Sequence, residues 1–129
     1  MVSFLSIEQQ KLRDSILGIN NASYLYGVSN FDNLNLTQLS KLIENDFIQL
    51  DDSFNDAPNV QVFFDFMTKY SIFKCFGFST RRKNDYCVVI SGIEGRDIDD
   101  KHAIIEFSNN FRLADEFHVS LDYCRAWYD

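Results

Sequence analysis

Ile72-Phe-Lys-Cys-Phe-Gly-Phe-Ser79 and Asp85-Tyr-Cys-Val-Val-Ile-Ser-Gly-Ile93 stand either side of Thr80-Arg-Arg-Lys-Asn84. Both flanking segments are dense in aromatic and β-branched residues, and the stretch between them is polar and basic. That arrangement reads as two antiparallel strands joined by a hairpin loop. A turn centred on Arg81 makes Cys75 and Cys87 cross-strand neighbours. After a loop over residues 94–100, a third strand is expected near 102–107, followed by a turn at Ser108-Asn-Asn110 and a bulge or turn at Ala114-Asp-Glu116. From there Phe111, Leu113, Phe117, Val119, Leu121, Tyr123 and Trp127 are all odd-numbered. This predicts a half-buried strand with odd side chains in the core and His118, Ser120 and Asp122 toward water.

Upstream the period changes from two to helical. Ser6 and Gln9 are spaced as a capping box, and Leu12, Ile16 and Ile19 follow at helical spacing until Gly18-Ile-Asn-Asn breaks the pattern. Residues 20–34, with Tyr24 and Tyr26, read as irregular structure or a short helical turn. Asn35 and Gln38 repeat the capping-box spacing, ahead of an apolar stripe of Leu39, Leu42, Ile43, Phe47 and Leu50. An acidic, turn-like stretch covers 51–58. Over 58–70, Val60, Val62, Phe64 and Phe66 alternate as a strand would, while Val60, Phe63, Met67 and Tyr70 form a helical stripe. Pro58 suits a first turn, and Asp65 and Lys69 sit at i,i+4, so a largely buried helix is predicted. Helices grouped before strands imply an α+β fold in one domain over 1–129, with N-terminal helices packed on a C-terminal antiparallel sheet of about four strands.

The chain has 129 residues, 46% of them hydrophobic and 24% charged, enough to bury a core. Its aromatic share is 16%, with thirteen Phe and six Tyr, and such rings build binding surfaces as well as cores. Three cysteines without paired spacing suit free thiols in a reducing compartment, and a cytoplasmic location is expected. The segment Met1-Val-Ser-Phe-Leu-Ser-Ile-Glu8 lacks a basic n-region, so no signal peptide is expected. No apolar run approaches the roughly 18–20 residues that span a bilayer.

The net charge is -7, carried unevenly: residues 1–70 hold four Lys/Arg against nine Asp/Glu. A nucleic-acid binder needs a basic surface to displace phosphate counterions, so a basic partner, or no charged partner at all, fits better. No phosphate loop, dinucleotide fingerprint, zinc-spaced His pair or nucleophile elbow is present, and neither a cofactor nor a metal is expected. His118, Ser120 and Asp122 have the residue types of a hydrolase triad. On one strand face, however, they lie side by side about 6.5–7 Å apart instead of converging. Asp97, Asp99 and Asp100, with Glu94 and Glu106, offer carboxylate oxygens to a hard cation, but the glycine and terminal glutamate of a calcium loop are missing. Bulky apolar flanks make Cys75 and Cys87 read as buried thiols. Arg81-Arg-Lys83 forms a basic hairpin tip.

The functional reading therefore rests on Glu44, Asp46, Asp51, Asp52 and Asp56, a stretch of five acids without a Lys or Arg, in which Phe54 is expected to stand exposed as an anchor. In size, charge and lack of catalytic residues the chain is similar to small acidic proteins that cover the basic site of a toxin or nuclease: bacterial immunity proteins, antitoxins and phage-encoded inhibitors. That resemblance implies a non-enzymatic inhibitor with a basic protein partner. Two other readings stay open. One is a small enzyme with acid–base residues among Asp97, Asp99, His102 and His118. The other is a subunit or adaptor of a larger assembly with an aromatic interface.

Overall fold

A computed structural model describes residues 4–19, 28–82 and 87–129. Its elements run α1 (Ile7–Leu17), β1 (Val28–Leu34), α2 (Leu36–Glu44), α3 (Val60–Lys69), β2 (Phe73–Thr80), β3 (Val88–Gly95), α4 (Lys101–Phe111), β4 (Glu116–Val119) and β5 (Cys124–Trp127). The strands form one antiparallel sheet in the order β1-β2-β3-β5-β4. The α+β class stands, with five strands instead of four, and three of the four helices precede β2.

Local chemistry sets the helix ends. Both expected capping boxes form: the Ser6 hydroxyl accepts from the Gln9 amide, and the Asn35 side chain from that of Gln38. Gly18 ends α1 in the left-handed region (φ 73). The α2 stop is less obvious. Asp46 takes the left-handed position (φ 60), its amide donates to the Ile43 carbonyl, and the Phe47 amide reaches back to Leu42. These two bonds form a Schellman stop, in which the residue after the left-handed one folds an apolar side chain back onto the helix. Phe47 and Ile48 are therefore buried beyond the helix end, and the expected stripe continuing to Leu50 is cut at Glu44.

The core lies between the helices and one face of the sheet. Phe73, Cys75, Gly77 and Ser79 of β2 are buried on that face. The Phe66 ring of α3 stands edge-on to Phe73 at 4.8 Å and to Phe111 at 5.3 Å, while Phe107 of α4 stacks on Phe73 at 5.5 Å. The Cys75 Sγ lies 3.1 Å from Met67 Sδ. Much of the high phenylalanine content is thus the joint between α3, α4 and the sheet. Arg13 is fully buried on α1; its guanidinium pairs with Asp14 at 3.0 Å and donates to the Thr80 carbonyl.

Several expectations are corrected. The expected third strand at 102–107 and the turn at 108–110 are both α4. Asp100 caps it by accepting from the His102 amide, and Ala103, Phe107 and Phe111 bury one face at i,i+4 spacing. Part of the segment read as irregular, 28–34, is β1; residues 20–27 lie outside the described residues. Its alternation is hidden because the register shifts between Phe31 and Leu34, its two buried residues. The odd-numbered rule fails in β5, where Cys124 and Ala126 are buried, and all four residues of β4 are exposed. Ser120 donates its amide to the Tyr123 carbonyl, closing a two-residue turn, and Phe117 pairs with Ala126. Across such a turn, paired residues share a face but differ in parity, so an odd stripe cannot hold one face through both strands. Cys75 pairs with Ile93, and the Cys87 carbonyl accepts from the Thr80 amide. The two thiols are therefore not cross-strand neighbours, because β2 runs on through Thr80 before turning. Cys75, Cys87 and Cys124 are buried and free. Among the described residues no helix is long and apolar enough to cross a membrane.

Candidate functional site

The loop from α2 to α3 is anchored at the start of α3. A helix begins with amides that lack intrahelical partners. Here the Val60 amide donates to the Asp52 carbonyl, the Gln61 amide to the Leu50 carbonyl, and Val62 to the side chain of Asn59. The helix therefore starts after Asn59, and Pro58 lies just ahead of it instead of in its first turn. The Asp52 carboxylate accepts from the Gln49 amide at 2.8 Å, which closes the turn. These bonds hold Asp51, Asp52 and Phe54 beside a hollow of about 250 Å³ whose apolar wall is Ile48, Val60 and Val88–Ile90.

Glu44, Asp46, Asp51 and Asp56 are exposed and Asp52 is half-buried. None of the five forms an ion pair among the described residues. The ion pairs involve Asp14, Glu94, Glu106 and Glu116 instead. The acids are not one cluster, however. Asp56 borders a separate hollow of about 290 Å³ together with Arg112, and Glu44 and Asp46 line neither. Phe54 is half-buried, not freely exposed: its ring stands edge-on to Phe78 at 5.4 Å.

The sheet face opposite the core was not singled out in the sequence. It holds a hollow of about 500 Å³ to which no helix contributes a lining residue. Phe76, Gly92 and Trp127 lie in one cross-strand row. Gly92 leaves the floor of that row open: a Cβ there would sit 2.2 Å from the Phe76 ring. In the next row Arg125 stacks its guanidinium 4.7 Å from the Phe76 centroid and approaches Glu94 at 3.7 Å. Glu94 also accepts from the Tyr123 hydroxyl at 2.6 Å and from Arg96 at 3.0 Å. Burial works against its charge, but Tyr123, Arg96 and Arg125 outweigh it and hold the Glu94 carboxyl below the ordinary value. Tyr123 is pushed up, by burial first and then by Glu94. Phe54 borders both this hollow and the one at the acidic loop.

The residues of the enzyme alternative are scattered. Asp97 (φ 54) and Asp99 are exposed in the loop before α4, His102 is exposed in its first turn, and His118 is on exposed β4. None of the four lines any of the three hollows described above. The Ser120 hydroxyl donates to the Tyr123 carbonyl, and the His118 ring lies 5.4 Å from that of Tyr123. Glu106 pairs with Lys69 at 2.6 Å. Among the described residues no three His, Cys, Asp or Glu side chains converge as metal ligands. Compared with known proteins, the chain matches no family model, no curated protein and no solved structure.

Proposed function

We propose that this chain is a non-enzymatic protein-binding inhibitor of the immunity-protein or antitoxin kind, acting in the cytoplasm and meeting a basic toxin or nuclease through the acidic 44–56 surface. The observation that carries the reading is placement: the loop anchored on the start of α3 holds Asp51 and Asp52 beside a hollow with an apolar wall, where a partner side chain can lose its water beside a carboxylate. Three buried free cysteines suit a reducing compartment.

The test uses Asp51→Lys, Asp52→Lys and Asp56→Lys together. Because Asp52 closes a turn, the double variant that keeps Asp52 serves as the folding control. A basic protein captured by the wild type should associate more slowly as salt rises and should be lost by both variants. A carboxylate paired in the desolvated centre of such an interface is worth about 2–5 kcal/mol on truncation, and a rim carboxylate far less. Unchanged affinity and salt dependence in variants with native circular dichroism would remove this surface from the site.

A further inference from the structure

We infer that the uncovered sheet face is a second part of the interface, built to receive an arginine side chain of the basic partner. The inference rests on the proposed partner being basic, but it stands on different residues and fails separately. The face combines three features. Its floor is aromatic: Phe76, Phe78, Trp127 and Phe54 are each half-buried, leaving ring surface for a ligand. It already holds one guanidinium on a ring, that of Arg125 over Phe76, which shows the geometry the face accepts. Its charge is not balanced. Arg96 and Arg125 both engage Glu94, while Asp32 and Asp129 line the hollow without an ion pair among the described residues.

Aromatic faces attract cations through the ring quadrupole, and a planar guanidinium stacks on them while offering paired N–H donors to a carboxylate. An ammonium can do neither of the last two things, so the site should prefer arginine to lysine. Half-buried aromatics around a hollow of about 500 Å³ also make the kind of centre where interface energy concentrates. Gly92 is what leaves room, since any side chain there would displace the Phe76 ring.

Trp127 is the only tryptophan of the chain and lines this hollow, so its fluorescence reports occupancy directly. The probes are hexa-arginine, hexalysine and hexaglutamate at low ionic strength. Hexa-arginine should give a saturable change, hexalysine should bind about tenfold more weakly, and hexaglutamate should not bind. Asp32→Asn, an exposed substitution that removes one charge, should weaken hexa-arginine about tenfold and leave the circular dichroism unchanged. No saturable response, equal binding of hexalysine, or an Asp32→Asn variant that binds like the wild type overturns the inference. A concentration-dependent homodimer that shields Trp127 and ignores the peptides assigns the face to a second copy and also overturns it. The Lys variants at 51, 52 and 56 separate the two readings. If they bind hexa-arginine normally while Asp32→Asn does not, the groove stands alone. If only they lose binding, the acidic loop stands and the groove falls.

Discussion

Arg13→Ala should destabilise the protein by about 3 kcal/mol. Arg13 is fully buried, its guanidinium 3.0 Å from the Asp14 carboxylate and 3.7 Å from the Cys87 Sγ, with a further bond to the Thr80 carbonyl. These contacts join α1 to the end of β2 and to Cys87, which precedes β3. Truncation removes a charged donor worth about 1.5–3 kcal/mol and breaks the ion pair with Asp14. Breaking a fully buried pair costs about 3–5 kcal/mol. The Asp14 side chain retains 16% exposure and can turn partly to water, so the lower end applies. With a urea m-value of about 2 kcal/mol/M, the unfolding midpoint should fall by about 1.5 M. Trp127 fluorescence and far-ultraviolet circular dichroism should report the same midpoint. The pair Arg13→Met with Asp14→Asn keeps the apolar stem and removes both charges but still loses the guanidinium bond to the Thr80 carbonyl, so it should cost about 1–2 kcal/mol, less than Arg13→Ala. A loss below about 1 kcal/mol for Arg13→Ala would mean that the buried guanidinium does not hold α1 in place.

Asp46→Gly should raise stability by about 0.5–1 kcal/mol, because glycine adopts the left-handed stop of α2 without strain; a destabilised variant would show that the aspartate side chain stabilises the turn. The same variant should slow association with a basic partner, setting stability against function at one residue. Glu94 has its carboxyl lowered from 4.5, so its contribution is fully present above that value and is lost as pH falls through the lower folded value. The stability gap between wild type and Glu94→Gln should therefore be constant near neutrality and narrow in acid; an equal gap at both ends would refute the network around Glu94. Burial raises all three thiols, Cys124 to about 11, so a thiol reagent should react slowly with native protein and find three thiols after unfolding. A count below three would contradict the reduced state.

How much of this was visible in the sequence depends on how many constraints each segment satisfied. The first two helices were readable because Ser6–Gln9 and Asn35–Gln38 are local devices, complete within four residues. α3 was readable because Val60, Phe63 and Met67 fit only a helix as a buried stripe. α4 was missed although Ala103, Phe107 and Phe111 repeat at the same spacing. Ile104 and Ile105 carry β propensity, and the deciding signal is the cap at Asp100, which in sequence is one of several acids in a loop. β1 and the phase of β5 depend on registers set by partner strands, which no local pattern encodes.

The two candidate surfaces differ in the same way. A run of acids is visible along the chain, whereas its division between two hollows follows from how α3 captures the loop. The sheet groove was hidden because a phenylalanine reads alike whichever way it points. Phe73 is core and Phe76 and Phe78 are not, and only pairing with Gly95, Gly92 and Val89 assigns them. One signal was available. In Phe76-Gly-Phe-Ser79 the even positions are aromatic and the odd ones are Gly77 and Ser79, so the larger apolar side chains stand on the face with less to bury them. Strands whose bulk points away from their helices carry a second apolar face, and where no helix covers it, that face is available to a partner. The aromatic excess noted in the composition thus divides into a core share around Phe66 and a surface share around Trp127.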